Sequence, residues 1–256
     1  MNGAASASQS PPAFWRDTGR GLVWLAYGLC CVWLALALSW WLYARLDYSY
    51  PLWYSLMDID QHIAEYAPHN ARKPGFAQLP PDQHQQAFAQ ISQAVHDRGR
   101  GLSGITYPGP SGMPIPLLTL DEVLHLQDVA DLLGLGTAVS WFMALLWLPL
   151  AVCSARAGPP TYRARIAAAG VAAGPLLIWL LVQGPKAVFY QLHIWLFPPE
   201  HPWFFYWEQS LMSTLMKAPY LFGGIAVVLA VAAVVLAPAL FLLGNTLIRP
   251  LAGARP

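Results

Sequence analysis

Apolar residues fall into four long runs separated by polar stretches of very unequal length. The runs are Leu22–Tyr43, Leu132–Val152, Ile166–Gln183 and Leu221–Ile248. A helix crossing the hydrocarbon core of a bilayer needs about 20 consecutive apolar residues, and each run meets or approaches that length. Gly170, Gly174 and Pro175 interrupt the third run, and Pro238 lies late in the fourth; membrane helices tolerate such breaks. No Asp, Glu, Lys or Arg lies in the core of any run. The pattern predicts an α-helical integral membrane protein with four transmembrane helices, at 21–43, 132–153, 166–183 and 221–248. The first run is too long for a cleaved signal peptide, and it ends in SWWLYARLDY rather than at a small-residue cleavage site.

The polar stretches complete the layout. Residues 1–20 open with a Ser/Ala/Pro-rich stretch, Met1–Pro12, that reads as a disordered tail. Residues 44–131 are too long for a bare connection and predict a small α+β cap between spans one and two. Within it, Leu52–Tyr66 reads as a short helix. Phe88, Ile91 and Val95 recur at helical spacing after Asp82. ITYPGPSGMPIPLL reads as two short extended runs about a Pro-Gly turn. Residues 154–165 form a short loop and 249–256 a short tail. Residues 184–220 are shorter than the cap and rich in aromatics, FYQLHIWLFPPEHPWFFYWEQ. That composition suits the headgroup level, where Trp and Tyr collect.

Composition supports the membrane reading and charge orients it. The chain is 56% hydrophobic and 11% charged, against roughly 25% charged in soluble proteins. Arg16, Arg20, Arg156, Arg163, Arg165, Arg249 and Arg255 share one side, with Asp17 as its acid. By the positive-inside rule that side is cytoplasmic, both termini included. The cap and the aromatic segment are then extracytoplasmic, and all 7 histidines lie with them. No cysteine falls in these outer segments, so neither a disulfide framework nor a thiol nucleophile is available there. The near-neutral charge gives no reason to expect nucleic acid as a partner.

The candidate chemistry begins at TLDEVLHLQDVADL, residues 119–132, at the lip of the second span. Thr119 and Glu122 have the spacing of a capping box, and Asp121 suits the helix dipole. On a helix His125 stands i,i+4 from Asp121 and i,i+3 from both Glu122 and Asp128. A carboxylate partner would fix its tautomer, as in hydrolase triads. A solvated interfacial histidine is the plainer reading of the same spacing. His193, in FYQLHIWLF just outside the third span, is the second candidate. Its plainer reading is a structural hydrogen bond in a buried loop. Two histidines on one membrane face would make an acid/base pair.

Glu122-x-x-His125-x-x-Asp128-Val129 before the second span, and Phe189-x-x-x-His193-x-x-x-Phe197 before the aromatic run, resemble the bacterial lipoprotein intramolecular transacylase (Lit) family. The resemblance covers the topology of nearly the whole chain, while its motifs cover residues 119–132 and 187–222. It implies transfer of the sn-2 acyl chain of a diacylglyceryl-cysteine to the α-amine of that cysteine, giving a lyso-form lipoprotein. By motif the two family histidines fall on His125 and His193, with Glu122 or Asp128 supporting His125. It also implies a bacterial cytoplasmic membrane location, with diacylated lipoprotein and membrane lipid as partners. No cofactor, metal or obligate protein partner is expected. An amine attacking an ester of its own molecule needs no enzyme nucleophile, since proximity supplies much of the rate. It needs a base for the amine and an acid for the departing alkoxide, and paired histidines can supply both.

Two alternatives stand beside this reading. Glu122-x-x-His125 has the spacing of a di-iron bundle ligand pair, but that site requires a second such pair. His62-x-x-Glu65-x-x-x-His69 could add metal ligands, yet Pro68 breaks the helical phase. A non-catalytic membrane scaffold is the other alternative. A transport component would be expected to carry ionisable groups within the spans, and these spans carry none.

Overall fold

The computed structural model describes residues 13–253. The stretch Met1–Pro12, expected to be a disordered tail, lies outside the described residues. Four helices dominate the chain: α1 (Ala13–Ala44), α5 (Leu120–Ala157), α6 (Tyr162–Leu196) and α8 (Tyr220–Gly253). Between α1 and α5 lie α2 (Tyr50–Leu56), α3 (Ile59–Tyr66), α4 (Pro81–His96) and a two-stranded antiparallel sheet, β1 (Thr106–Pro108) with β2 (Pro114–Pro116). The short helix α7 (Leu211–Leu215) precedes α8.

All four long helices are long and apolar enough to cross a membrane. Their outer faces carry large apolar side chains such as Leu145, Leu181 and Val234, at 76%, 84% and 74% exposure. Apolar surface on that scale requires an apolar surrounding, which points to a multi-pass membrane protein. α1 is the central helix, packed against α5 and α8, with α6 on its flank. Small residues open the seams: Ala35, Ala151, Ala233 and Ala237 are buried around Tyr27 and Cys31, and such residues let helix backbones approach closely. The Tyr27 hydroxyl donates to the Phe241 carbonyl at 2.9 Å, joining α1 to α8. At the far end, Asp17 accepts hydrogen bonds from the Thr161 amide and hydroxyl at 3.0 and 2.6 Å. That contact sets the start of α6 beside the start of α1.

Several boundaries differ from the sequence reading, each for a local reason. α1 starts at Ala13, inside the stretch 1–20 expected to be tail. The helix expected over Leu52–Tyr66 is two, α2 and α3, because Asp58 adopts φ 49° and ψ 48° between them. α5 runs unbroken from Leu120, so the last turns of the expected cap are the first turns of the second long helix. α6 continues past Gln183, with a break at Gly184, φ 76° and ψ 159°. Glycine adopts that conformation without steric cost, and Pro185 follows it.

The break is sharp. Trp179 and Trp195, 16 positions apart, stack with ring centroids 5.3 Å apart, whereas a straight helix would separate them by about 24 Å. Residues 185–196 therefore turn back from the axis of residues 162–183. This short arm carries His193.

The segment between α1 and α5 has its own core, built from Tyr50, Ile59, Ile63, Phe76, Phe88, Ile91, Leu102 and Leu117. Tyr50 stacks on Phe88 at 4.0 Å and donates to the Leu215 carbonyl at 2.6 Å, reaching from α2 to α7. Tyr54 bonds His84 Nδ1 at 2.8 Å, and His84 Nε2 bonds the Phe76 carbonyl at 2.9 Å. Both nitrogens of this buried imidazole are thus satisfied. The same core includes Leu126, Ala130, Leu211 and Leu221, so it is continuous with the lip of α5 and the approach to α8.

Candidate active site

The first turns of α5 are fixed by the predicted capping box. The Glu122 amide donates to Thr119 Oγ1, and the Glu122 carboxylate accepts from the Thr119 amide. Glu122 is fully buried, and its second oxygen accepts a hydrogen bond from Ser210 Oγ. Lys73 lies beneath, donating from Nζ to the Pro116 carbonyl at 3.1 Å and to the Leu117 carbonyl. Burial pushes the Lys73 amine below the usual lysine range, and the charge of Glu122 opposes that shift.

One turn further on, α5 presents His125, 9% exposed. The bend at Gly184 brings His193 opposite it, with ring centroids 6.3 Å apart and planes inclined by 31°. Aromatic side chains close the box. Phe197 lies 4.9 Å from His125 and 5.2 Å from His193, while Phe189 and Trp203 flank His193 at 4.0 and 5.0 Å. Phe205 covers His125 from 5.9 Å. The two histidines singled out by sequence are therefore neighbours, although 68 positions separate them along the chain.

Their hydrogen bonding differs. His193 Nδ1 pairs with the Phe189 carbonyl one turn back, at 2.8 Å. A carbonyl can only accept, so Nδ1 carries the hydrogen and Nε2 of the neutral ring holds a free lone pair. His125 Nδ1 is buried and has no hydrogen-bond partner. An unpartnered polar atom in such a place is costly in an idle protein and is available to a ligand.

The hydrogen bonds of the two carboxylates expected to support His125 go to other partners. Both oxygens of Glu122 are taken by Thr119 and Ser210, which confines this carboxylate to holding the helix start and α7. Asp128 instead bonds His201 Nδ1 through Oδ2 at 2.7 Å and acts on His125 only through space. Asp121 is exposed. The reason is rotational: i,i+3 spacing puts the groups on one helix face, but each carboxylate turns toward a partner from the 198–215 region.

His201, the partner of Asp128, is not signalled in the sequence. It follows Pro198-Pro199-Glu200, outside any periodic pattern, and its partner lies 73 positions away. No local spacing signals such a pair. Among the described residues no group of three or more His, Cys, Asp or Glu side chains is placed to hold a metal ion. His62, weighed as a possible ligand, instead packs between Tyr66 and Trp207 at 4.6 and 4.4 Å.

The arrangement joins one histidine with a defined acceptor nitrogen to a second whose buried nitrogen is unpaired. Both sit in an aromatic box at the end of a bundle of apolar helices, His125 buried and His193 half-buried. No protein-family model, curated protein or solved structure matches this chain.

Proposed function

We propose that this chain is a membrane acyltransferase of the lipoprotein intramolecular transacylase type. It would move the sn-2 acyl chain of a diacylglyceryl-cysteine to the α-amine of the same cysteine. The observation that carries the reading is the facing pair His125 and His193, delivered by two different helices into one aromatic box. In this reading the chain resides in the bacterial cytoplasmic membrane with both termini cytoplasmic, and the pair works at headgroup depth on the extracytoplasmic face.

The chemistry follows from the tautomers. The α-amine has a pKa near 8 and needs a base before it can attack. His193 suits that role, since its Nδ1 is committed to the Phe189 carbonyl and its Nε2 lone pair is free. The amine nitrogen adds to the ester carbonyl, the glyceryl C–O bond breaks, and the alkoxide takes up a proton. His125 is the partner for that departing oxygen. No enzyme nucleophile is required, because amine and ester belong to one molecule and their proximity replaces a second covalent step. The apolar helix faces would hold the acyl chains while the rings of Phe197, Trp203 and Phe205 keep water from the ester.

Mass spectrometry of a lipoprotein's N-terminal peptide, from cells with and without this chain, tests the reading. It predicts a lyso-form peptide with an N-acyl group only where the chain is expressed. Identical diacylglyceryl peptides in both samples would refute it.

A further inference from the structure

The acyl-transfer reading leaves one proton unaccounted for, and the inference drawn here rests on that reading. At neutral pH the substrate's α-amine is largely an ammonium. Converting it to an amide removes two protons from nitrogen while one C–N bond forms and one glyceryl C–O bond breaks. One proton ends on the glyceryl oxygen. The other must leave the site. His125 is 9% exposed, and His193 has Nδ1 tied to a backbone carbonyl. With His125 buried, and half-buried His193 using Nε2 on the amine and Nδ1 on a carbonyl, the pair is occupied in relaying one proton from nitrogen to oxygen, and the surplus calls for a further acceptor.

We infer that His201, held by Asp128, passes the surplus proton from the histidine pair to water. Asp128 Oδ2 accepts from His201 Nδ1 at 2.7 Å, which leaves His201 Nε2 for proton transfer. The His201 side chain is 30% exposed and that of Asp128 16%, so the dyad is half-buried and open to solvent at its His201 end. Its placement ties it to the pair from both sides. Asp128 lies on α5 almost one turn beyond His125. Two and four positions after His201, Trp203 and Phe205 pack against His193 and His125. Asp128 is a positioning residue in this scheme: it fixes the tautomer and aim of His201, as a carboxylate does for the histidine of a hydrolase triad.

The competing role for the dyad is a clamp that merely holds residues 198–205 over the site. Chemical rescue separates the two. In the full-length chain reconstituted in phospholipid vesicles with a synthetic diacylated lipopeptide, His201→Ala should slow acyl migration by about 10²-fold, the scale of a lost acid/base group. Added imidazole should restore much of that rate. His201→Gln keeps a donor for Asp128 but cannot carry a proton, so it should remain as slow as His201→Ala. The Asp128→Ala/His201→Ala double variant should not respond to imidazole, because no acceptor remains to orient the added ring. Near-parental migration by His201→Gln, or a slow His201→Ala that imidazole leaves unchanged, would overturn the outlet and leave only the clamp. Absence of migration by the parent chain would instead overturn the acyl-transfer reading, and this role with it.

Discussion

Ser210 donates its hydroxyl hydrogen to the Glu122 carboxylate, tying the first residue before α7 to the first turn of α5. The other Glu122 oxygen holds the Thr119 amide. A fully buried carboxylate engaged at both oxygens is a structural joint, and that assigns it an effect on stability rather than on chemistry.

Glu122→Ala should therefore lower the thermal unfolding midpoint. It leaves the Ser210 hydroxyl and the Thr119 amide without their acceptor, and hydrogen bonds to a charged group contribute about 1.5–3 kcal/mol each. Glu122→Gln should be milder, since its amide oxygen can replace one acceptor. The protein that remains folded should keep acyl-transfer rates close to the parent. Unchanged unfolding in detergent beside a large loss of rate would place Glu122 in the chemistry instead.

A pH dependence of stability follows from His62. Burial between Tyr66 and Trp207 pushes its imidazole from 6.5 down to about 4, with the Lys217 charge acting in the same direction and Glu65 opposing. The unfolded chain takes up a proton at higher pH than the folded one does. Stability is thus complete above pH 6.5 and declines as pH falls toward 4. His84, also lowered by burial, contributes with the same sign. Unfolding midpoints measured from neutral pH down to 4 should fall, and His62→Phe should make the fall shallower. An unchanged slope in that variant would remove His62 from the account.

Orientation is testable by labelling. With the native cysteines replaced, Ala155→Cys in the last turn of α5 should resist an impermeant thiol reagent in intact cells. Gln86→Cys on the exposed face of α4 should react. This is the arrangement the arginine distribution favours. The reverse labelling would place the histidine box on the cytoplasmic side, away from any diacylglyceryl-cysteine.

The four long helices were legible because length and apolarity are properties of a single window, and the capping box because its partners lie three positions apart. Facing of His125 and His193 could be expected only from motif resemblance and a shared membrane side. The device that produces it, the turn at Gly184-Pro185, shows in sequence as a helix break without a direction. The bond between Asp128 and His201 was hidden in sequence for a related reason. Helical spacing offers His125 as the neighbour of Asp128, whereas the folded chain supplies His201 from 73 positions away. Partners of that kind depend on where the aromatic segment settles, and this is decided by packing across the whole end of the bundle.

Two-histidine acyl transfer calls on no metal, so extensive dialysis against EDTA should leave the migration rate unchanged. Loss of activity restored by zinc or iron would require metal ligands that this account does not assign.

The most direct measurement is acyl migration on a synthetic diacylated lipopeptide in vesicles by His125→Ala, His193→Ala and the double variant, each checked for expression and thermal stability. Each single change should cost about 10²-fold or more in rate. The double should lose far less than the product of the two, because groups that act as one unit are not additive. Near-parental migration by either folded single variant would contradict the assignment of the chemistry to His125 and His193.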